Sequence, residues 1–221
     1  LKYDSGTDMK RISLIVPCLN EEEAIPAFKQ EIDRVFKECL EGYAPELIFV
    51  DDGSTDRSLE MIKKMAEHSP EVKFISFSRN FGKEAAIYAG LEAATGDYAA
   101  VMDVDLQDPP SLLPDMLKAI EKEGYDCAGT RRVTRQGEPL LRSFFARVFY
   151  KTIHQISDTR IVDGARDYKL MTRPVLEALL SLKEYNRFSK GLYEWVGFRT
   201  KWFEYENVER VAGDTKWSFW K

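Results

Sequence analysis

The chain has 221 residues, 44% of them hydrophobic and 31% charged, with a net charge of −5. That suffices for a sizeable core in one domain, gives no global attraction for nucleic acid, and includes no apolar run near the roughly 18 residues of a membrane-spanning helix. Three cysteines without CxxC spacing argue against a disulfide framework or thiolate metal site, and two histidines, His68 and His154, supply neither a zinc site nor a Ser-His-Asp triad, which leaves any catalytic metal to oxygen ligands.

After a polar tail to about Lys10, with no basic segment leading into an apolar run and hence cytosolic exposure expected, RISLIVP (11–17) reads as a strand ended by proline. A helix is predicted over 20–42, with Ile25, Phe28, Ile32, Val35, Phe36 and Cys39 on one face, Asn20 as cap and Gly42 as stop. ELIFV (46–50) is a second strand, DDGSTD (51–56) a turn in which Asp56 can start the next helix, and Leu59, Ile62, Met65 and Ala66 mark that helix. KFISF (73–77) is a third strand, RNFG (79–82) a loop, and KEAAIYAGLEAAT (83–95) an alanine-rich helix. YAAVM (98–102) is a fourth strand, followed by DVDLQDPP, a helix near 111–123, and YDCAGT (125–130). Beyond about 131 the chain turns arginine-rich and aromatic, with an amphipathic helix predicted over 142–156. No internal repeat or long linker interrupts it.

Strands alternating with helices predict an α/β fold, a Rossmann-like, mostly parallel sheet flanked by helices. In such sheets ligands sit at the carboxyl ends of the strands, where LNEE, DDGSTD, RNFGKE and DVDLQD all fall. No two glycines are separated by a single residue and no GxxxxGK[ST] occurs, so neither a dinucleotide fingerprint nor a P-loop is present. Carboxylates and small turn residues suit a sugar nucleotide held through a divalent metal. Asp103 and Asp105, two apart on extended backbone, point the same way, and with Gln107 they offer hard oxygen ligands for Mg²⁺ or Mn²⁺ bridging a diphosphate. The competing reading is a solvated turn, with Asp108 capping the helix after Pro109 and Pro110.

SLIVPCLNEEEAI, VDDGSTD, SRNFGKEAAIYAGL, MDVDLQDPP, NRFSKGLYEWVGF and NVERVAGDTKWSF together resemble the inverting glycosyltransferase family 2 enzymes of GT-A fold. Within that family they resemble the polyprenyl-phosphate glycosyltransferases, the group that includes dolichyl-phosphate mannose synthase and the bacterial bactoprenol glucosyl- and N-acetylglucosaminyltransferases. The resemblance runs over roughly 11–220. It implies a nucleotide pocket lined by Pro17, Leu19, Glu21, Asp51 and Asp52, with Leu19 in place of a tyrosine common in the mannose synthases. It also implies Asp103 against the nucleotide, Asp105 and Gln107 on the metal, and Lys83 as a phosphate or nucleotide contact. The QxxRW signature of processive members is absent, which favours transfer of a single sugar.

Between 131 and 151, Arg131, Arg132, Arg135, Arg142, Arg147 and Lys151 face a single acid, Glu138. Phe144, Phe145, Val148, Phe149, Ile153 and Ile156 give that stretch an apolar face, as in a helix lying in a membrane interface; a helix packed on the sheet is the alternative. A lipid-phosphate acceptor is already anionic and needs no strong base; it needs positioning and charge compensation. The resemblance places Arg131, Arg142 and Ser143 at that phosphate and Arg210 and Lys216 in a late loop closing over the donor phosphates.

The expected organisation is one GT-A domain over 1–221, with a nucleotide-sugar half (11–130) and an acceptor-binding, membrane-proximal half (131–221). The resemblance implies two transmembrane helices following TKWSFWK, which would place the enzyme at the cytoplasmic face of the cell membrane. The expected reaction moves glucose or N-acetylglucosamine from a UDP-sugar to a polyprenyl phosphate. The expected partners are donor, lipid acceptor and membrane surface, with a homo-oligomer as an open option and no nucleic acid. The alternatives are a single-sugar transferase acting on a soluble or cell-wall glycan and a non-catalytic sugar-nucleotide-binding partner of a membrane complex.

Overall fold

The computed structural model describes residues 9–132, 162 and 164–205. The predicted helix over 142–156 and the terminal TKWSFWK lie outside them. Fourteen elements are described. The first ten run β1 (Lys10–Cys18), α1 (Ile25–Cys39), β2 (Tyr43–Asp51), α2 (Ser58–His68), β3 (Val72–Ser76), α3 (Lys83–Ala93), β4 (Tyr98–Val101), a 3-10 turn (Pro110–Leu112), α4 (Leu113–Glu123) and β5 (Cys127–Arg132). Then come β6 (Ala165–Thr172), α5 (Arg173–Ser181), α6 (Ser189–Trp195) and β7 (Thr200–Tyr205). The strands form one sheet in the order β3-β2-β1-β4-β6-β5-β7. Every described pairing is parallel except those of β6, which runs against both β4 and β5. The α/β fold with a mostly parallel sheet is as the sequence predicts.

Alternation along each strand divides the core in two. Ile12, Leu14 and Val16 of β1, with Leu47 and Phe49 of β2, meet Phe28 and Ile32 of α1 and Met116 and Leu117 of α4. On the other face Ile15, Ile48 and Val50 meet Ala86, Ile87 and Leu91 of α3 and Val175, Leu176 and Leu179 of α5. Both faces are covered, so the central strands read as unbroken apolar runs rather than alternating ones. The small residues of α3 have a cause in this packing: a Cβ on Gly90 would come 2.3 Å from Ile15 Cγ2.

Helix starts differ from the sequence reading. α1 begins at Ile25 with Pro26 in its first turn, and Asn20 is not its cap. Asn20 takes left-handed backbone, φ 54°, and turns its side chain to the 54–56 turn instead. Asp56 does serve the start of α2, accepting from the Ser58 N–H at 2.9 Å.

At the edge opposite the strand carboxyl ends, buried Glu46 ties four segments together. Its carboxylate accepts from the Ser13 hydroxyl, from Lys73 Nζ at 2.5 Å, and from the Thr95 N–H and hydroxyl at 2.9 and 2.6 Å. Burial alone would raise this carboxyl, but the bonds from Lys73, Ser13 and Thr95 together outweigh it and hold it at about 2. A depressed acid stabilises the fold fully above its unfolded pKa near 4.5 and loses that contribution as pH falls towards 2. Two outcomes follow. Urea midpoints should drop between pH 5 and 2 by up to about 3 kcal/mol in stability, and Glu46→Gln should flatten that slope while lowering stability at pH 7. Gly90→Ala should cost about 1–3 kcal/mol by thermal melting through overpacking against Ile15, despite the better helix propensity of alanine.

Candidate active site

The chain winds from β1 out to β3 and then returns to place β4 on the other side of β1. The strand order therefore reverses between β1 and β4, and this is where an open α/β sheet leaves a crevice. β4 ends at Val101, opposite Ile15, so β1 runs on past it. Ile15 O accepts from Met102 N on that side, which places the missing N–H of Pro17 on the same side, beyond the end of β4.

One wall of the crevice is a pair of turns stitched together. Asn20 Oδ1 accepts from the N–H groups of Thr55 at 2.7 Å and Asp56 at 3.3 Å, and its own N–H donates to Ser54 Oγ at 2.9 Å. The N–H of Glu21 donates to Ser58 Oγ at 2.7 Å and that of Glu22 to Asp56 at 3.2 Å. The two motifs, 35 residues apart, are thus one surface, with Leu19 and Asp51 buried at its base. Asp51 accepts from the Ser54 N–H at 3.2 Å and Ser76 Oγ at 3.3 Å. Asp52 behaves differently. It is wholly buried and accepts from Phe81 N at 2.7 Å and Gly82 N at 3.0 Å. Burial pushes its carboxyl up, against those two N–H groups and with Asp51 adding to the rise. Asp52 is therefore the anchor of the loop that starts α3, where the sequence reading has it lining the pocket. Gly53 allows this contact: at φ 74° its Cβ position would lie 2.6 Å from the Arg79 carbonyl carbon.

That anchor aims Lys83, the first residue of α3, into the crevice. Its ammonium lies 2.7 Å from Asp103 Oδ1 and also pairs with Asp167 at the start of β6. Lys190 Nζ is 3.6 Å from Asp167 on the other side. Burial works against the Lys83 charge, yet Asp103 and Asp167 more than restore it and raise its pKa. Burial likewise opposes ionisation of Asp167, and Lys83 and Lys190 hold its pKa well down. Lys83 is thus an inward ion-pair partner rather than a solvated first-turn lysine.

The DVDLQD segment corrects the argument made from strand periodicity. Asp103 and Asp105 lie beyond β4 in a turn, with Leu106 left-handed at φ 57°, so a period of two does not apply to them. Asp103 is partly exposed and held by Lys83, whereas Asp105 is buried and its Oδ1 accepts from the Gln107 N–H at 3.1 Å. Two carboxylates and an amide are hard donors that fit Mg²⁺ or Mn²⁺. No cluster of three or more His, Cys, Asp or Glu around one point exists among the described residues.

Asp108 is not a helix cap. It is buried, and its Oδ1 accepts from Arg166 Nε at 3.0 Å and from the Tyr205 hydroxyl. No side-chain bond caps the 3-10 turn or α4 that follow it. Arg131 lies next to the end of β5 at the same rim, paired with Glu204 of β7. Arg142, Ser143, Arg210 and Lys216 lie outside the described residues. The sequence reading missed Arg166, Asp167 and Lys190. Arg166 and Asp167 sit at the rim because β6 runs antiparallel and starts where the other strands end.

The model of the family "Glycosyl transferase family 2" matches residues 13–180. The chain belongs to glycosyl transferase family 2. Among relatives of this glycosyltransferase, it is 43% identical over 96% of its length to a prophage bactoprenol glucosyl transferase homolog of Escherichia coli (strain K12), of which it spans 68%. It is 42% identical over 96% of its length to the bactoprenol glucosyl transferase of Shigella phage SfV, again spanning 68%. Against the uncharacterized glycosyltransferase YkcC of Bacillus subtilis (strain 168) it is 42% identical over 93% of its length and spans 62% of that protein. The chain thus covers about two thirds of these proteins. Among solved structures, the mannosyltransferase PcManGT of Pyrobaculum calidifontis, with GDP-Man and Mn²⁺, superposes with TM-score 0.59 at 22% identity over 93% of this chain and 58% of that one. Glucosyl-3-phosphoglycerate synthase of Mycobacterium tuberculosis, with Mn²⁺, UDP-glucose and phosphoglyceric acid, gives 0.59 at 20% identity over 93% and 73%. These likenesses show the GT-A fold.

A double-mutant cycle checks the Lys83 cluster. Lys83→Met strands Asp103 and Asp167 and should cost about 3 kcal/mol in urea denaturation, Lys83→Arg much less, and adding Asp167→Asn to Lys83→Met should restore part of the loss. Strict additivity would mean the two side chains do not interact.

Proposed function

We propose that this chain is the catalytic part of a metal-dependent inverting transferase moving one hexose, glucose or N-acetylglucosamine, from a UDP-sugar to a polyprenyl phosphate at the cytoplasmic membrane face. The reading is carried by the crevice at the β1/β4 reversal, where Lys83, Asp103 and the 102–108 turn meet. The 43% identity to a bactoprenol glucosyl transferase homolog supports the acceptor and the sugar. The Mn²⁺ and UDP-glucose bound to a neighbour of the same fold support the donor and the metal. Among the described residues no helix is long and apolar enough to cross a membrane, so the reading places membrane attachment outside them.

In this reading the nucleoside lies against the joined LNEE and DDGSTD turns, with Asp51 at its base edge and Pro17, Leu19 and Glu21 beneath. Asp105 and Gln107 would hold the metal, whose chemistry is to offset charge on the departing diphosphate. Lys83 exchanges part of its pairing with Asp103 for a phosphate oxygen and compensates the same charge. The acceptor needs no base because its phosphate is already anionic. One of its oxygens forms a bond to the anomeric carbon as the bond to the UDP oxygen breaks with its electron pair, giving a β-linked product from an α-linked donor. Arg131, with Arg142 and Ser143, would align that phosphate, and Arg210 and Lys216 would close over the donor.

The test is a donor panel of UDP-glucose, UDP-N-acetylglucosamine and GDP-mannose with undecaprenyl phosphate and Mn²⁺, scored for label extracted into organic solvent. A UDP-sugar should label the lipid, and Asp105→Ala should reduce kcat/KM at least about 10³-fold. Label appearing only on a water-soluble acceptor would favour the soluble-glycan alternative. Tight UDP binding with no turnover on any acceptor would favour a non-catalytic binding partner.

A further inference from the structure

The far end of the 102–108 turn is fixed by a side chain that the mechanism above does not use. Asp108 follows Gln107 directly, is 1% exposed, and joins Arg166 at the start of β6 to Tyr205 at the end of β7 through a single oxygen. Its other oxygen, Oδ2, is buried with no hydrogen-bond partner among the described residues, as is the hydroxyl of Tyr168, two residues along β6 from Arg166. For folding alone this is an expensive arrangement, because apolar side chains of equal volume fill such a space as well or better than a buried ion pair. Three residues before Asp108, Asp105 is buried and closed onto the Gln107 N–H. Between them Leu106 holds left-handed backbone at φ 57° with its side chain against the core. That conformation is costly for leucine and persists only where the surroundings over-determine it.

We propose that Asp108, Arg166 and Tyr205 form a positioning clamp. It holds the turn in the one shape that presents Asp105 and Gln107 together, and so sets the affinity for a divalent metal when a nucleoside diphosphate is bound. It also ties that turn to two strands of the later half of the chain, so the metal turn and the acceptor side move as one piece. The clamp rests on the metal-dependent reading above.

Electron paramagnetic resonance titration of Mn²⁺ in the presence of UDP tests it on the protein and on Asp108→Asn and Tyr205→Phe. Both variants should weaken Mn²⁺ binding about tenfold, as loss of a partner behind a metal ligand does. UDP affinity in EDTA should stay within about twofold, and the KM for Mn²⁺ should rise more than kcat at saturating metal falls. Folded variants that take up Mn²⁺ with unchanged affinity would overturn the clamp. If Asp108→Asn fails to fold, Tyr205→Phe, which removes one hydroxyl and no charge, decides by the same titration. Absence of UDP-dependent Mn²⁺ uptake by the unsubstituted protein would overturn the metal-dependent reading itself, and the clamp with it.

Discussion

The site is organised around one ammonium group held between two carboxylates. Lys83 stands between Asp103, just beyond β4, and Asp167, at the start of β6, and so spans the junction where β4 meets a strand running against it. Three charges drawn partly out of water are stable only when their partners are placed well, and the rest of the rim supplies that placement. Asp52 pins the loop before α3, Gly53 lets the two loops meet backbone to backbone, and Glu84 of the same first turn bonds the Ser189 N–H at 3.0 Å, bringing α6 and Lys190 alongside. A displaced α3 would strand two acids at once.

This arrangement also explains how the site can be both stable and open to a ligand. In the proposed reading a diphosphate would offer Lys83 oxygens equivalent to those it leaves, so binding would exchange one set of charge-assisted bonds for another rather than expose a bare charge. The Glu46 network at the opposite edge needs no such freedom. It is closed on itself by Ser13, Lys73 and Thr95, which leaves the carboxyl ends of the strands as the edge where unspent polar chemistry gathers.

Much of this was legible in the sequence, because strand–helix alternation and apolar spacing are local signals. They placed the first four strands and the helices between them, and the motif turns after those strands fell on one rim as expected. What escaped had non-local causes. Asn20 looks like a helix cap, but the N–H donor its side-chain oxygen accepts from lies 35 residues away. Asp103 and Asp105 look like one face of a strand until a left-handed Leu106 breaks the period. Asp108 beside two prolines looks like punctuation, and its partners Arg166 and Tyr205 lie 58 and 97 residues on. Arg166 and Asp167 carry no motif that reading from the residues would single out, since their place at the rim depends on β6 reversing direction.

The most direct measurement is a crystal structure of the protein with UDP-glucose and Mn²⁺ bound. The account predicts the diphosphate at the β1/β4 crevice with an oxygen within hydrogen-bond distance of Lys83 Nζ, the metal on Asp105 and Gln107, and the uracil against Asp51. A nucleotide bound elsewhere, or one bound there while Lys83 keeps both carboxylates and touches no phosphate, would contradict it.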